Sequence, residues 1–320
     1  MVQFSLNQTR QCPQFDTPIG GDGGYGWWYI DAISDDGIHG LTLIAFIGSV
    51  FSPYYAWSGW ANPLDHCAVN VALYRFDGAR GRWAMTERGA RTLSRTATEL
   101  SIGPSRLVWE DGVLTITIDE ICAPIPLRVK GTIRLFPEVM TEAAFDLDPA
   151  GRHQWRPLAP RARVELDLSH PALSWSGDGY FDTNHGTEPL ERAFTHWHWG
   201  RAHLGNDLRI FYDVIYPDQR EGSAHLSVSK SGEVTSLAHM THKGLSSSFW
   251  GIRRKAWCDR DAPISVLKSL EDTPFYARSA LSTSIDGERV TMMHETLNLE
   301  RLRQPIIRAM LPFRMPRSFW

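Results

Sequence analysis

Three features of the sequence predict an all-β fold: short stretches of alternating or β-branched residues recur along nearly the whole chain, turn dipeptides separate them, and long helical periods are scarce. Taken in order, Gly21 to Gly26 leads into an aromatic strand that places Tyr25, Trp27 and Tyr29 on one face. Leu41 to Val50 and Ala68 to Phe76 are apolar runs of strand length. Asp111-Gly112 separates Arg106 to Glu110 from Val113 to Ile118, a hairpin signature. Leu127 to Leu135 and Arg163 to Leu168 continue the series. Ser231-Gly232 divides Ala224 to Ser229 from Val234 to Ala238, and Asp286-Gly287 divides Ser279 to Ile285 from Val290 to Glu295. Arg209 to Ile215 lies before these two hairpins. Such spacing favours antiparallel β-barrels or sandwiches over a doubly wound sheet. Asp148 to Gly151, followed by Pro157 and Pro160, is the best internal boundary, because Pro and Gly interrupt strand pairing. It divides the chain into an N-terminal β domain, 1–150, and a C-terminal β domain, 151–320.

The last twenty residues differ from the rest. Arg301 to Trp320 carries five arginines and no acidic residue, interleaved with Ile306, Ile307, Met310, Phe313 and other apolar side chains. Pro305, Pro312 and Pro316 limit helix to short pieces. A basic amphipathic tail of this kind suits an anionic membrane surface, and it equally suits a terminal helix packed on the barrel.

The 320 residues include 33 basic and 36 acidic side chains, so the net charge of −3 gives no whole-molecule attraction to nucleic acid. Cys12, Cys67, Cys122 and Cys258 are scattered without a CxxC, which points to reduced thiols in a cytoplasmic protein rather than a disulfide framework or a zinc knuckle. The N-terminal residues lack the basic start and apolar core of a signal peptide. The longest apolar run, Leu41 to Val50, is far shorter than the roughly 20 residues needed to span a bilayer. Thirteen tryptophans and 14 phenylalanines suit either an aromatic core or a pocket for a flat or elongated apolar ligand.

Gly21 to Gly26 satisfies G-x-G-x-x-G literally, but Pro13 and Pro18 precede it and a strand follows it. A dinucleotide site needs the reverse context, with a helix N-terminus to meet phosphate. His196 and His198 could offer two imidazoles to a metal if a third ligand such as His203 or Asp213 converged on them. Without that convergence they read as pocket or core residues, and neither a metal nor a cofactor is expected. No G-x-S-x-G elbow or Walker A sequence occurs. Cofactor-free acid–base chemistry, or binding alone, is left.

The most informative cluster is His153-Gln154-Trp155, Tyr180-Phe181-Asp182 and Thr195 to Trp199. In strands, residues i and i+2 share a face, so His153 pairs with Trp155 and Tyr180 with Asp182. A carboxyl group beside aromatic faces and imidazole suits reactions that pass through a cation, because an acid delivers the proton and π-faces stabilise the charge.

Several long strings now become informative: Phe15 to Asp31, Gly48 to Trp57, Ala84 to Gly89, Thr195 to Trp199, Pro274 to Arg278 and Met310 to Arg317. Through them the chain resembles the carotenoid 1,2-hydratases, or hydroxyneurosporene synthases, of phototrophic bacteria, over nearly its full length. The resemblance implies two lipocalin-like β-barrel domains with a short helical tail. It also implies cofactor-independent addition of water across the terminal C1–C2 double bond of acyclic carotenes such as neurosporene and lycopene. The family's catalytic pattern is a His-x-Trp pair and a Tyr-x-Asp pair 27 positions apart, matched here by His153 and Trp155, then Tyr180 and Asp182. An ordinary aspartate, with a pKa of about 3.9, is almost wholly ionised near neutral pH, so burial is expected to keep Asp182 protonated as the acid. Trp155 and Tyr180 would face the cation, and His153 would orient water and take its proton, although the roles of His153 and Tyr180 are interchangeable on sequence. A carotene of negligible solubility further implies peripheral association with the inner, photosynthetic membrane, through Arg301 to Trp320. The alternatives are a non-catalytic lipocalin-like carotenoid carrier and a metal-dependent oxygenase using His196 and His198.

Overall fold

The computed structural model describes residues 2–8, 12–238 and 240–318. Phe319 and Trp320 of the tail, and Met1, Thr9 and Arg10 of the N-terminal stretch, lie outside the described residues. Two compact units are built by packing rather than by chain order. One gathers 7–144, 152–189 and 308–320; the other gathers 1–6, 145–151 and 190–307.

In the first unit the strands are β1 (Tyr25–Ser34), β2 (His39–Ile47), β3 (Cys67–Arg75), β4 (Arg82–Arg88), β5 (Leu93–Arg95), β6 (Glu99–Ile102), β7 (Ser105–Glu110), β8 (Val113–Ile121), β9 (Arg128–Val139), β10 (His153–His170) and β11 (Ala172–Gly186). They form one antiparallel sheet in the order β4-β3-β2-β1-β11-β10-β9-β8-β7-β6-β5. Asp111 and Gly112 both take positive φ in the β7–β8 turn, at 50° and 77°, as a type I′ hairpin requires.

The sheet curls around one apolar core that includes Trp28, Ile30, Leu43, Val69, Ile116, Val164 and Phe181. Each large aliphatic or aromatic side chain buried there contributes about 1.5–3 kcal/mol. In β1 the alternate residues Tyr25, Trp27 and Tyr29 are buried as well. The strand is therefore covered on both faces: Trp28 and Ile30 enter the apolar core, and the aromatic row at 25, 27 and 29 faces the other way.

The expected boundary at 150/151 falls within 145–151, a segment that belongs to the second unit, and the chain returns at Arg152 so that β10 and β11 pack with residues 7–144. Pro157 and Pro160 do not break the strand there. Register shifts on either side of Ala159 accommodate them, and β10 runs unbroken from His153 to His170.

The second unit contains β12 (His196–Leu204), β13 (Asp207–Ile215), β14 (Glu221–Val228), β15 (Val234–Ser236), β16 (His242–Leu245), β17 (Arg254–Trp257), β18 (Ser265–Asp272), β19 (Tyr276–Ile285) and β20 (Glu288–Asn298). Its main sheet is ordered β15-β14-β13-β12-β20-β19-β18, with β16 and β17 as a separate ribbon. Asp286 and Gly287 turn between β19 and β20 with φ of 52° and 81°.

The tail is short helical pieces, Leu299–Leu302 and Pro305–Met310, followed by a 3-10 turn at Leu311–Phe313. Its arginines are largely engaged within the protein. Arg301 donates to the carbonyls of Trp250, Gly251 and Pro274. Arg308 lies 5.6 Å from the Trp60 ring and Arg314 lies 4.5 Å from the Trp83 ring, and Arg317 pairs with Glu87. Ile306, Met310 and Phe313 remain exposed. Among the described residues no helix is long and apolar enough to cross a membrane.

Candidate active site

The four sequence-predicted residues lie together on the face of β10 and β11 opposite the apolar core. Strand register explains how. His153, Gly186 and Tyr25 align across β10, β11 and β1, and Trp155, Asn184 and Trp27 align in the next row on the same face. Asp182 and Tyr180 follow at steps of two along β11. His153, Trp155 and Tyr180 are buried completely, and Asp182 is 4 % exposed.

Asp182 is the focus of one hydrogen-bonded set. The Trp155 indole donates to Asp182 Oδ2 at 2.8 Å, reaching diagonally from the row above, and the Tyr180 hydroxyl donates to the same oxygen at 2.7 Å. The Tyr29 ring meets Tyr180 edge-on at 6.1 Å. A single carboxylate oxygen thus takes two donors within a wall of rings.

His153 belongs to a second set. The Tyr25 hydroxyl lies 2.8 Å from His153 Nδ1, and Glu188 Oε1 lies 3.4 Å from Nε2. Arg152 holds the other Glu188 oxygen at 3.2 Å. Tyr25 stacks on His153 at 5.7 Å and on Trp27 at 5.0 Å. Gly186 stands between Tyr25 and His153 in the sheet, and a Cβ there would lie 2.4 Å from Tyr25 Cε1 and 2.7 Å from His153 Nδ1. A glycine is required because two side chains from non-adjacent strands meet over it.

The aromatic row of β1 was legible as a strand face, but nothing in the sequence paired Tyr25 with His153 or Glu188 with either. The available signal was the bare glycine at 186, two residues before Glu188.

The conspicuous histidines of β12 lie in the second unit. His198 Nδ1 is 3.0 Å from the Thr296 hydroxyl, and burial pushes its pKa well below the usual imidazole value. Asp213, a possible third metal ligand by sequence, is directed instead at His225 Nε2 at 2.8 Å and the Trp257 indole at 2.9 Å. Among the described residues no group of three or more His, Cys, Asp or Glu side chains is placed to hold a metal ion.

A family model for the carotenoid hydratase CrtC matches residues 43–320. This chain belongs to the carotenoid hydratase family. An acyclic carotenoid 1,2-hydratase of Thiocapsa roseopersicina is 50% identical over 309 residues, covering 95% of this chain and 76% of the relative. The corresponding protein of Rubrivivax gelatinosus is 45% identical with the same coverage, and that of Rhodobacter capsulatus is 40% identical over 86% of this chain and 97% of its own length. Among solved structures, an AttH-type protein of Nitrosomonas europaea matches 91% of the chain and 97% of its own length, with a TM-score of 0.63 and 14% identity. Kievitone hydratase from Nectria haematococca matches 93% of the chain and 98% of its own, with a TM-score of 0.54 and 9% identity. At these identities the likeness concerns the fold alone, and it places this family member among the lipocalin-like all-β proteins.

Proposed function

We infer that this protein is an acyclic carotenoid 1,2-hydratase, and that Asp182 supplies the proton that starts the reaction. Its relatives carry that activity in their names. The observation that supports the site is the convergence of Trp155 and Tyr180 on one oxygen of a buried Asp182.

The terminal C1–C2 bond of an acyclic carotene such as neurosporene or lycopene is a trisubstituted alkene. Transfer of the Asp182 proton to C2 leaves a tertiary cation at C1. The faces of Trp155 and Tyr180 stabilise that cation, each desolvated cation–π contact being worth on the order of 2 kcal/mol. Water then bonds to C1 and gives up a proton to the His153 set. Alkene plus water equals tertiary alcohol with no net electron transfer, so an acid and a base suffice and no cofactor is required. A carrier would use the apolar surroundings but would have no need of paired donors on a buried carboxylate.

The substrate reaches the site from a bilayer, and we place the protein at the membrane periphery in the cytoplasm. Four of the five tail arginines are engaged within the protein, which moves the weight of that attachment from arginine charge to the exposed Ile306, Met310 and Phe313. Loss of sedimentation with anionic liposomes in an Ile306→Ser/Phe313→Ser variant supports this, and undiminished sedimentation counts against it.

The decisive experiment incubates the purified protein with lycopene or neurosporene in liposomes and analyses the product by mass for added water. Asp182→Asn is expected to lower turnover by at least about 10²-fold while carotene still binds, the usual scale for a missing general acid. Activity within a few-fold of the parent protein would remove Asp182 from the acid role.

A further inference from the structure

We propose that Tyr25 is the group that takes the proton from the attacking water, with His153 as the base behind it and Glu188 as the residue that positions His153. This rests on the hydratase reading above and changes which atom touches water. Sequence reasoning aims His153 at the water directly. In the structure both of its nitrogens face protein groups, Nδ1 the Tyr25 hydroxyl at 2.8 Å and Nε2 the Glu188 carboxylate at 3.4 Å.

The tautomer follows from the partners. An ionised carboxylate only accepts, so the single N–H of neutral His153 belongs on Nε2, directed at Glu188, and Nδ1 accepts from the Tyr25 O–H. Arg152, 3.2 Å from Glu188 Oε2, holds that carboxylate in place. Stacking between Trp27 and His153 fixes the Tyr25 ring in the gap left by Gly186. Tyr25 and Asp182 pair with positions four residues apart along the same strands, about 13 Å at the backbone, so the proposed base and acid stand at opposite ends of one aromatic row.

Asp182 gives its proton to C2, and C1 becomes cationic. The water oxygen bonds to C1 while one water O–H bond breaks toward the Tyr25 oxygen, and the Tyr25 proton passes to His153 Nδ1. The imidazolium so formed lies against Glu188, and Asp182 is left as carboxylate. Loss of one proton from His153 and gain of one by Asp182, through solvent, restores the resting state.

The test compares Tyr25→Phe, Glu188→Gln and Asp182→Asn with the parent protein, using lycopene in liposomes for kcat and KM and tryptophan quenching for carotene binding. Tyr25→Phe should lower kcat by about 10²–10⁴-fold with KM and binding within about twofold. Glu188→Gln should lower kcat about tenfold. It should also move the acid limb of the pH profile to lower pH, because removing the carboxylate makes His153 easier to deprotonate. A purely structural Tyr25 would instead change binding or melting temperature and leave the pH profile in place. Tyr25→Phe with kcat within threefold of the parent overturns the relay. Should Tyr25→Phe fail to fold, Glu188→Gln decides, and an unchanged kcat and acid limb overturn it. Inactive Asp182→Asn beside an active Tyr25→Phe defeats the relay alone, whereas activity in both defeats the acid–base reading as a whole.

Discussion

Each unit of the molecule buries an aspartate that accepts a hydrogen bond from a tryptophan indole, yet the two carboxylates are wired differently. In the second unit, Asp213 receives one donor on each oxygen, His225 Nε2 on Oδ1 and Trp257 Nε1 on Oδ2. The Met240 backbone amide donates to His225 Nδ1 at 3.1 Å, so Nε2 carries the N–H that points at Asp213. Neither donor on Asp213 can accept a proton from it. In the first unit, Trp155 and Tyr180 share Oδ2 of Asp182. One arrangement spreads its donors over both carboxylate oxygens, and the other converges a tryptophan and a tyrosine on a single oxygen. Burial and an indole partner are common to both, so neither feature by itself marks the aspartate proposed as the acid.

A pair of matched substitutions tests the difference between the two aspartates. Asp182→Asn is expected to cost at least about 10²-fold in turnover with little change in melting temperature. Asp213→Asn is expected to leave turnover within a few-fold and to destabilise the protein by about 1–3 kcal/mol, because the amide must set its NH2 against an N–H donor. At roughly 2–4 °C per kcal/mol, a thermal melt resolves that loss. Reversal of the pattern, with Asp213→Asn inactive and well folded, would exchange the roles assigned to the two clusters. Gly186→Ala is a smaller intrusion on the first cluster alone. Its Cβ would force Tyr25 and His153 apart, and turnover should fall about 10–10²-fold in the hydration assay.

The smallest effect belongs to the second unit and appears as a pH dependence. His294 is fully buried, its Nε2 lies 2.8 Å from the Lys255 carbonyl, and burial pushes its pKa down to about 4. The unfolded chain therefore binds a proton at this position that the folded chain does not. Stability from this group is complete above the ordinary imidazole value near 6.5 and is lost as the pH falls from there to about 4. Melting curves between pH 7 and pH 5 should show a loss of about 2 kcal/mol that His294→Gln reduces. An equal loss in the variant would assign the acid sensitivity elsewhere.

Much of the fold was legible in the sequence because hairpins are written locally. Asp111-Gly112 and Asp286-Gly287 carry both the turn and its backbone conformation in two residues. The strand beginning at His153 was harder, since Pro157 and Pro160 normally interrupt pairing and only the register shifts around Ala159 absorb them. Which residues pack into one unit was not legible at all, because the sheet joins β11 to β1 across more than a hundred residues. The candidate site divides in the same way. His153 with Trp155, and Tyr180 with Asp182, are i and i+2 pairs, visible as soon as a strand is assumed. Tyr25 and Glu188 meet His153 only through register and a missing Cβ, and neither is encoded by local spacing.

The gap at Gly186 makes the site a detector of register. A slip of β11 by one residue would bring His185 or Thr187 between Tyr25 and His153 and turn Asp182 to the opposite face of the sheet. Most of the sheet's hydrogen bonds would survive such a slip, but the proposed chemistry would not. Turnover would then report correct alignment of β10, β11 and β1 more strictly than spectroscopic β-content, which counts paired strands without regard to which residues are opposed.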